Sequence, residues 1–223
     1  MAAGEGRRLR PLTGRYAKAV LPIDGRPVIV TLLRELTAAG LGPVTVVVGH
    51  LGRQIERLLS GFDADLRFVS QPEPLGSADA VRRAALDPPY LVVAADTAFS
   101  RGDVGLFVEE AAGADGAVAV RRSPPPGPGR AAVRVEQGRI TRVIDDDPAN
   151  PLGGAPLWLI GAPVHAELAG LPGPPFELAE AFRRALAAGA ELRGIEIGPT
   201  RDLTFPVDLV VENFPYLRSM GEV

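Results

Sequence analysis

Residues 44–50, VTVVVGH, decide the fold predicted for this chain. They form a continuous apolar run rich in β-branched residues, which is typical of a strand buried on both faces of a sheet. Outward from it, the spacing predicts a helix over 52–61, a strand over 65–70, a helix over 76–86 and a buried strand over 89–96. Strands that alternate with helices need crossover connections. We therefore expect an α/β fold with a mostly parallel, mixed sheet flanked by helices.

The pattern of predicted secondary structure changes after residue 115. Residues 116–147 predict strands joined by a proline- and glycine-rich loop at 123–130, which is a small β-rich insertion. A helix over 174–192, a short strand over 193–198 and a terminal helix over 205–220 complete the pattern. Because no repeat, heptad pattern or dividing linker is present, we expect one domain over residues 1–223.

Composition excludes several classes of protein. The chain has 223 residues, 46% of them hydrophobic, so it can bury a full-sized core. No apolar run approaches the roughly 20 residues of a membrane span, and the polar, cationic start does not resemble a signal peptide. A cysteine count of zero leaves no disulfide framework or thiolate metal site and suits the cytoplasm. A net charge of −3 and 5% aromatic residues argue against nucleic-acid binding.

Cationic residues concentrate at the start of this acidic protein. Residues 1–26 hold six of them against Glu5 and Asp24, namely Arg7, Arg8, Arg10, Arg15, Lys18 and Arg26. The Gly-Glu-Gly-Arg turn at 4–7 offers backbone N–H groups beside guanidinium groups, which matches a polyphosphate in shape and charge. The alternative is an ordinary glycine turn with solvated arginines.

Lys18 is the only lysine among 24 cationic residues. Arginine presents a rigid fork, whereas lysine presents a compact ammonium group on a flexible stem. We expect Lys18 to serve a position that needs the ammonium group, although a compositional bias toward arginine is the alternative.

Acidic residues complete the candidate site. Asp96 ends the most apolar strand and Asp202 follows a predicted strand, so the two carboxylates could share a Mg²⁺ ion. The run at 145–147 is expected to be a solvated turn. His50 and His165 are interpreted as a loop residue and a surface residue, and Ser77 has no recognisable base.

Five segments in order resemble the sugar-1-phosphate nucleotidyltransferases, the nucleoside-diphosphate-sugar pyrophosphorylases. They are MAAGEGRRLRPLT (1–13), KAVLPIDGRPVI (18–29), QPEPLGSADAV (71–81), VVAAD (92–96) and RDLTFPVDLVVENF (201–214). The likeness covers nearly the whole chain and implies a Rossmann-like, GT-A-like fold. It also implies an enzyme that joins a nucleoside triphosphate to a sugar-1-phosphate with Mg²⁺ and releases pyrophosphate.

The resemblance assigns roles position by position. Arg7, Lys18 and Asp96 would be catalytic, and Asp96 and Asp202 would bind Mg²⁺. Glu177 and Trp158 would contact the sugar. The residues that would bind the nucleotide are Ala3, Gly4, Gly6, Gln71, Gly76 and Ser77.

Four departures from the family pattern stand out. The central strand that normally precedes the glycine loop is absent, so either the true start lies upstream or another segment substitutes for it. Ala95 replaces the usual glycine before Asp96, and Asp147 replaces a lysine that contacts the sugar phosphate. The family's aromatic sugar-pocket strand is not recognisable in residues 155–163.

These departures keep two other functions open. One is a non-catalytic relative that binds nucleotide or sugar nucleotide as a regulatory subunit. The other is a nucleotidyltransferase that acts on a non-sugar phosphate such as phosphocholine. The base, the sugar and the oligomeric state are not indicated by the sequence.

Overall fold

The computed structural model describes residues 1–122, 132–214 and 216. The predicted loop at 123–130 and the end of the predicted terminal helix lie outside the described residues. The strands are β1 Pro22–Ile23, β2 Arg26–Pro27, β3 Val44–Val48, β4 Leu66–Ser70, β5 Tyr90–Val93, β6 Thr97–Ala98, β7 Gly116–Arg122, β8 Arg134–Glu136, β9 Arg139–Arg142, β10 Leu152–Ile160, β11 Leu192–Glu196 and β12 Arg201–Asp202. The α-helices are α1 Val28–Ala38, α2 Gly52–Leu59, α3 Ser77–Ala84, α4 Asp103–Ala111, α5 Ala162–Glu167, α6 Leu178–Ala187 and α7 Pro206–Asn213.

The chain divides into two compact units. The first unit is Met1–Pro74, Ala95–Phe99 and Arg201–Val223, and the second unit is Leu75–Ala94 and Ser100–Thr200. Because each unit draws on separated stretches of sequence, neither is a simple half of the chain. The expectation of one domain over residues 1–223 stays a prediction.

In the first unit, the segment that decides the fold is a strand as expected. β3 pairs in parallel with β4, and α2 connects them as the crossover. The chain start lies on this pair: the Ala2 N–H donates to the Val47 carbonyl at 2.8 Å, and Ala2 makes a parallel bridge with Val48. On its other side, the Met1 carbonyl accepts a hydrogen bond from Ala95 at 2.8 Å. Residues 1–2 are thus held between β3 and the segment that leads into Asp96.

The C-terminal segment closes the first unit. β12 pairs antiparallel with β6, and α7 follows it after a turn in which Asp208 accepts hydrogen bonds from the Thr204 and Phe205 amides at 2.7 and 2.8 Å. An apolar cluster packs beneath, formed by Leu9, Leu21, Ile23, Val28, Ala98 and Leu203. This cluster brings the opening loop, β6 and β12 into one small core, and that core positions the candidate site.

The second unit carries the largest sheet, with strand order β5-β10-β7-β11-β9-β8. A mixed sheet with helices is therefore confirmed, but the expectation of a mostly parallel sheet is wrong here. Only β7 and β11 pair in parallel, while the other four pairings are antiparallel. The helix-connected strands β5, β7 and β11 do point the same way, as the crossover rule requires. The nine-residue β10 enters antiparallel between β5 and β7, so those two strands are not neighbours.

Candidate functional site

The opening loop has a backbone that only glycine adopts without strain. Gly6 has φ +61°, and a Cβ there would lie 2.9 Å from the Thr13 Cγ2 atom. The Thr13 hydroxyl donates to the Gly6 carbonyl at 2.8 Å, and the Leu9 amide donates to the same oxygen at 2.9 Å. The loop is thus fixed by its own contacts. Gly4 is different: it is exposed, and a Cβ there would meet no atom within 4 Å.

The loop arginines face outward. The Arg7 side chain is 72% exposed, and its Nε atom donates to the Glu5 carboxylate at 2.6 Å. That hydrogen bond holds the pKa of the Glu5 carboxyl below its usual range. Because an exposed ion pair contributes little stability, an incoming anion can replace Glu5 at small cost. Arg8 is also exposed. Both alternatives, a phosphate cradle and a turn with solvated arginines, are compatible with these positions.

Lys18 and Asp96 form an ion pair within the first unit. The Lys18 ammonium donates to Asp96 Oδ2, and the two side chains are 18% and 32% exposed. Lys18 opens a short 3₁₀ turn, Lys18–Val20, whose preceding amide at Ala17 is held by Gln54 Oε1 at 2.9 Å. Its stem lies against the glycine loop, since a Cβ on Gly6 would be 3.4 Å from Lys18 Cβ. The structure therefore brings the lone lysine and the loop together with Asp96, which lies in the turn after β5 and not at the end of the strand as expected.

Asp202 lies on the strand that pairs with the one following Asp96. Thr97 and Asp202 are register partners of β6 and β12, and the Thr97 hydroxyl donates to Asp202 Oδ1 at 2.5 Å. Next to it, the Arg201 guanidinium pairs with Asp24 and, at 3.5 Å, with Glu212. The pKa of Asp24 is lowered by the hydrogen bond from Arg201. Neither Thr97 nor this ion pair was predicted, because both depend on contacts between residues far apart in the chain.

The donor set fits a Mg²⁺ ion that also binds substrate phosphates. Asp96 and Asp202 supply carboxylate oxygens, which are hard ligands, and Mg²⁺ in such sites uses one or two carboxylates with phosphate and water oxygens. No described group of three or more His, Cys, Asp and Glu side chains is arranged to hold a metal. A protein contribution of two carboxylates is consistent with that result.

Ala3 and Gln71 flank a close backbone contact. A Cβ on Gly49 would lie 2.7 Å from the Ala3 carbonyl oxygen and 2.8 Å from that of Gln71. The Gln71 amide donates to the Val48 carbonyl at 2.7 Å, and the residue is 5% exposed. Gly49 was not among the predicted residues, although a glycine directly after a buried strand was a usable signal.

Gly76, Ser77 and Glu177 meet in the second unit. Gly76 has φ +108°, and a Cβ there would lie 2.3 Å from the Phe176 carbonyl oxygen. The Ser77 hydroxyl donates to Glu177 Oε2 at 2.8 Å and accepts from the Leu178 amide at 2.8 Å. Glu177 directly precedes α6, as predicted. The Ser77 hydroxyl group thus joins two segments that lie 100 residues apart in the chain.

Trp158 lies on β10, paired with Val92 on one side and Val118 on the other, and is half-buried. Nothing in its surroundings distinguishes a sugar contact from a packing role. His165 is not the plain surface residue that was expected. Its ring lies edge-on to Tyr90 with centroids 5.8 Å apart, and Nδ1 is 2.9 Å from the Tyr90 hydroxyl. Burial raises the pKa of Tyr90 to about 12.

The acidic run at 145–147 is not a solvated turn throughout. The Asp145 side chain is fully buried and accepts hydrogen bonds from Arg134 at 3.1 Å and Asn150 at 2.8 Å. Asp147 is partly exposed and accepts from Arg134 Nη2 at 2.8 Å. The expectation failed for Asp145 because β8 and β9 bring arginines to the turn, which sequence spacing did not show. The negative charge of Asp147 is therefore compensated locally.

Several known proteins are similar to this chain over about two thirds of its length. It is 35% identical over 157 residues to the bifunctional protein GlmU of Burkholderia ambifaria, which is 68% of this chain and 33% of that protein. It is 30% identical over 161 residues to the low-salt glycan biosynthesis nucleotidyltransferase Agl11 of Haloferax volcanii, 67% of this chain and 45% of that protein. The chain thus spans about a third to a half of these relatives' lengths.

Solved structures share the fold. The inositol-1-phosphate CTP transferase of T. maritima superposes with a TM-score of 0.80 at 18% identity, covering 99% of this chain and 93% of that chain. A Bacillus anthracis protein assigned as a glucose-1-phosphate thymidylyltransferase, in complex with sucrose, gives 0.81 at 20% identity with the same coverage. Among helices of the described ranges, none has the length and apolar character needed to cross a membrane.

The family comparison covers both units. The MobA-like NTP transferase domain matches residues 1–193, which include the glycine loop, Lys18, Asp96 and Glu177. The resemblance to the sugar-1-phosphate nucleotidyltransferases, seen first in five short segments, is therefore confirmed. This chain belongs to the family of MobA-like NTP transferase domains.

Proposed function

We propose that this chain is a Mg²⁺-dependent nucleotidyltransferase that transfers a nucleoside monophosphate from a nucleoside triphosphate to a sugar-1-phosphate. The observation that carries the proposal is the ion pair of Lys18 with Asp96 beside the glycine loop. A lone lysine, a carboxylate beside it and a left-handed glycine turn are the parts that phosphoryl-group positioning requires. The family match and the relatives' names support the same chemistry.

The reaction needs little from the protein besides positioning and charge. An oxygen of the sugar phosphate, already anionic, attacks the α-phosphorus of the triphosphate. The bond from that phosphorus to the bridging oxygen of the β-phosphate breaks, and pyrophosphate leaves with the electron pair. Because no proton has to be removed from the nucleophile, no general base is required, and binding in line supplies most of the rate.

Lys18 is the group that we assign to the reacting phosphate. In the structure the Lys18 ammonium group pairs with the Asp96 carboxylate, so each charge neutralises the other. When the triphosphate binds, the ammonium exchanges its carboxylate partner for phosphate oxygens, and its flexible stem lets it follow them as they move. Asp96 would then be able to hold a Mg²⁺ ion.

Mg²⁺ would be held by Asp96 and Asp202. Bound there, the ion would neutralise negative charge on the triphosphate and on the leaving pyrophosphate. The remaining assignments follow the resemblance: Arg7, Gly4 and Gly6 at the phosphates, Ala3, Gln71, Gly76 and Ser77 at the nucleotide, and Glu177 and Trp158 at the sugar. We place the reaction in the cytoplasm, where nucleoside triphosphates are made.

A second candidate is transfer to a non-sugar phosphate such as phosphocholine. The observation behind it is Asp147, which stands where the family's lysine contacts the sugar phosphate and which pairs with Arg134. The compensation by Arg134 weakens the repulsion that an isolated carboxylate would exert on a phosphate, so we keep sugar-1-phosphate as the first choice.

Pyrophosphate release tests both candidates. The protein is incubated with each of the common nucleoside triphosphates, Mg²⁺ and a panel of sugar-1-phosphates that also contains phosphocholine. We expect pyrophosphate with at least one sugar-1-phosphate and none when Mg²⁺ is removed by chelation. Release only with phosphocholine would favour the second candidate. Binding of nucleotide without release under any combination would favour a non-catalytic, regulatory relative.

A further inference from the structure

Thr97 is a buried threonine whose hydroxyl points at a candidate metal ligand. The residue is 1% exposed and follows Asp96 directly in the chain. Its Oγ1 atom donates to Asp202 Oδ1 at 2.5 Å across the β6–β12 pair. Asp96 directly precedes the two-residue strand β6, and Thr97, the first residue of β6, carries the hydroxyl that bonds to the other candidate ligand, Asp202.

The pairing of β12 with β6 places the Thr97 hydroxyl where it can orient the Asp202 carboxylate. Adjacent residues of a strand point to opposite faces, so Arg201 and Asp202 project to different sides. Arg201 is anchored by Asp24 and Glu212, while Asp202 is held by Thr97. Arg201 and Asp202 therefore each have a fixed partner, and β12 has little freedom to rotate.

A hydroxyl bond to a carboxylate does not prevent metal binding. An ionised carboxylate has about four lone-pair sites on two oxygens, so Asp202 can accept from Thr97 and still offer a lone pair to a cation. Residues that orient metal ligands through hydrogen bonds contribute to metal affinity, and their loss weakens metal binding about 10- to 100-fold.

We propose that Thr97 is a positioning residue of the nucleotidyl-transfer site, which fixes the Asp202 carboxylate for the divalent cation. The inference rests on the proposed function, because Asp202 is a metal ligand only within it. Thr97 touches neither substrate in this scheme and acts through Asp202. Its contribution is a carboxylate already oriented before the ion arrives.

The test measures binding of Mn²⁺ alone to the full chain, by the electron paramagnetic resonance signal of free Mn²⁺. Three variants are compared with the parent protein: Thr97→Val, which keeps the shape and removes the hydroxyl, Thr97→Ser, which keeps the hydroxyl, and Asp202→Asn. Thr200→Val is the matched control, because within the described residues the buried Thr200 hydroxyl has no hydrogen-bond partner.

We expect Thr97→Val to weaken Mn²⁺ binding about 10- to 100-fold, Thr97→Ser to stay near the parent, and Thr200→Val to leave binding unchanged. In steady-state assays Thr97→Val should raise the Mg²⁺ concentration for half-maximal activity while the KM for the sugar-1-phosphate stays constant. Combining Thr97→Val with Asp202→Asn should weaken binding no further than Asp202→Asn alone, because the hydroxyl acts through that carboxylate.

Two results would overturn the inference, and they are distinct. Parent-like Mn²⁺ binding by a folded Thr97→Val protein removes Thr97 while leaving the proposed function intact. Mn²⁺ binding that does not depend on Asp202 overturns the metal assignment of the proposed function, and the inference with it. If Thr97→Val does not fold, Thr97→Cys, whose thiol is a weaker donor, replaces it with the same expected direction.

Discussion

Two aspartates of this chain lie beside cationic side chains and are held in opposite ways. Asp145, in the second unit, has a fully buried side chain that accepts from Arg134, Arg142 and Asn150. Asp96, in the first unit, has a side chain that is 32% exposed and paired with Lys18. Several fixed donors surround one carboxylate, whereas the other is paired with the flexible ammonium group of Lys18.

The difference separates a structural acid from one prepared to change partners. Several donors in a buried network hold a carboxylate in one state, because removing any of them leaves the others in place. A single ammonium on a four-carbon stem can leave at the cost of one contact, provided that a phosphate and a metal ion replace it. The exposed third of Asp96 is the surface through which that exchange would occur.

Removing the charge of Asp96 should have the largest effect. We predict that Asp96→Asn lowers kcat by about 10³-fold or more, because both the metal ligand and the partner of Lys18 are lost. The fold should survive, since the Asp96 side chain is partly exposed. Pyrophosphate release measures the loss of kcat, and a thermal melt of the same sample tests whether the fold survives. Full activity in this variant would remove Asp96 from the mechanism.

Exchanging the ammonium for a guanidinium should have the next largest effect. We predict that Lys18→Arg, although it conserves charge, lowers kcat about 10²-fold and changes the KM for the triphosphate less. The larger, rigid guanidinium group has to fit beside Gly6 and cannot follow the phosphate oxygens as they move. Arg8→Ala is the control, because Arg8 is exposed, and its kcat should stay within about a factor of two. A normal kcat for Lys18→Arg would make the lone lysine a compositional accident.

Asp145 should behave in the opposite manner. We predict that Asp145→Asn lowers the melting temperature by several degrees and leaves kcat within about a factor of two, because Asp145 itself has no role in the proposed reaction. Differential scanning calorimetry beside the pyrophosphate assay measures the two effects. A large loss of activity with unchanged stability would show that the comparison between the two aspartates is wrong.

The same network predicts a dependence on pH. Burial alone raises the pKa of Asp145, but the hydrogen bonds from Asn150 and the Asp147 amide, with the charge of Arg134, outweigh it and lower the pKa from 3.8. A carboxyl group whose pKa is lower when folded stabilises the protein above its unfolded pKa, and this contribution is lost as the pH falls through the folded value. The stability difference between the parent and Asp145→Asn should therefore be constant at neutral pH and shrink below about 3.8. A difference that grows in acid would contradict it.

Thr200→Val should have the smallest effect. Within residues 1–122, 132–214 and 216, the Thr200 hydroxyl is buried without a hydrogen-bond partner. Replacing it by a methyl group of the same shape removes that cost, and we predict a gain in unfolding free energy of up to about 1 kcal/mol. Denaturant unfolding measures it. A loss of stability would indicate a partner, such as a water molecule, that the hydroxyl serves.

The sequence predicted the local elements of this fold more completely than their arrangement. The strand at 44–50 and the helix that Glu177 precedes were predicted correctly, because apolar periodicity is a local signal. The position of β10 between β5 and β7 was not, since strand order depends on which edges are free when a long strand adds to the sheet. Spacing along the chain carries no information about that choice.

The candidate site shows the same limit. Lys18 and Asp96 were both singled out, one by its rarity and the other by its place at the end of a strand, and the structure joins them. Thr97 was missed because a threonine beside an aspartate is common in sequences, whereas Gly49 was missed although its place directly after a buried strand is a usable signal. Their contacts appear only when β12 pairs with β6 and when the first residues lie against β3.

The pairing of Thr97 with Asp202 joins positions 105 residues apart, and this has a consequence for synthesis of the protein. A chain emerging from the ribosome presents its glycine loop, Lys18 and Asp96 long before β12 exists. Translation proceeds at about 5–20 residues per second, so the nascent chain would carry half of the proposed metal site for several seconds. The second carboxylate arrives only when residue 202 has been added, 105 residues after Thr97. Nucleotide-dependent protection from proteolysis should therefore be absent in stalled chains that end before β12 and appear only in those that extend beyond it.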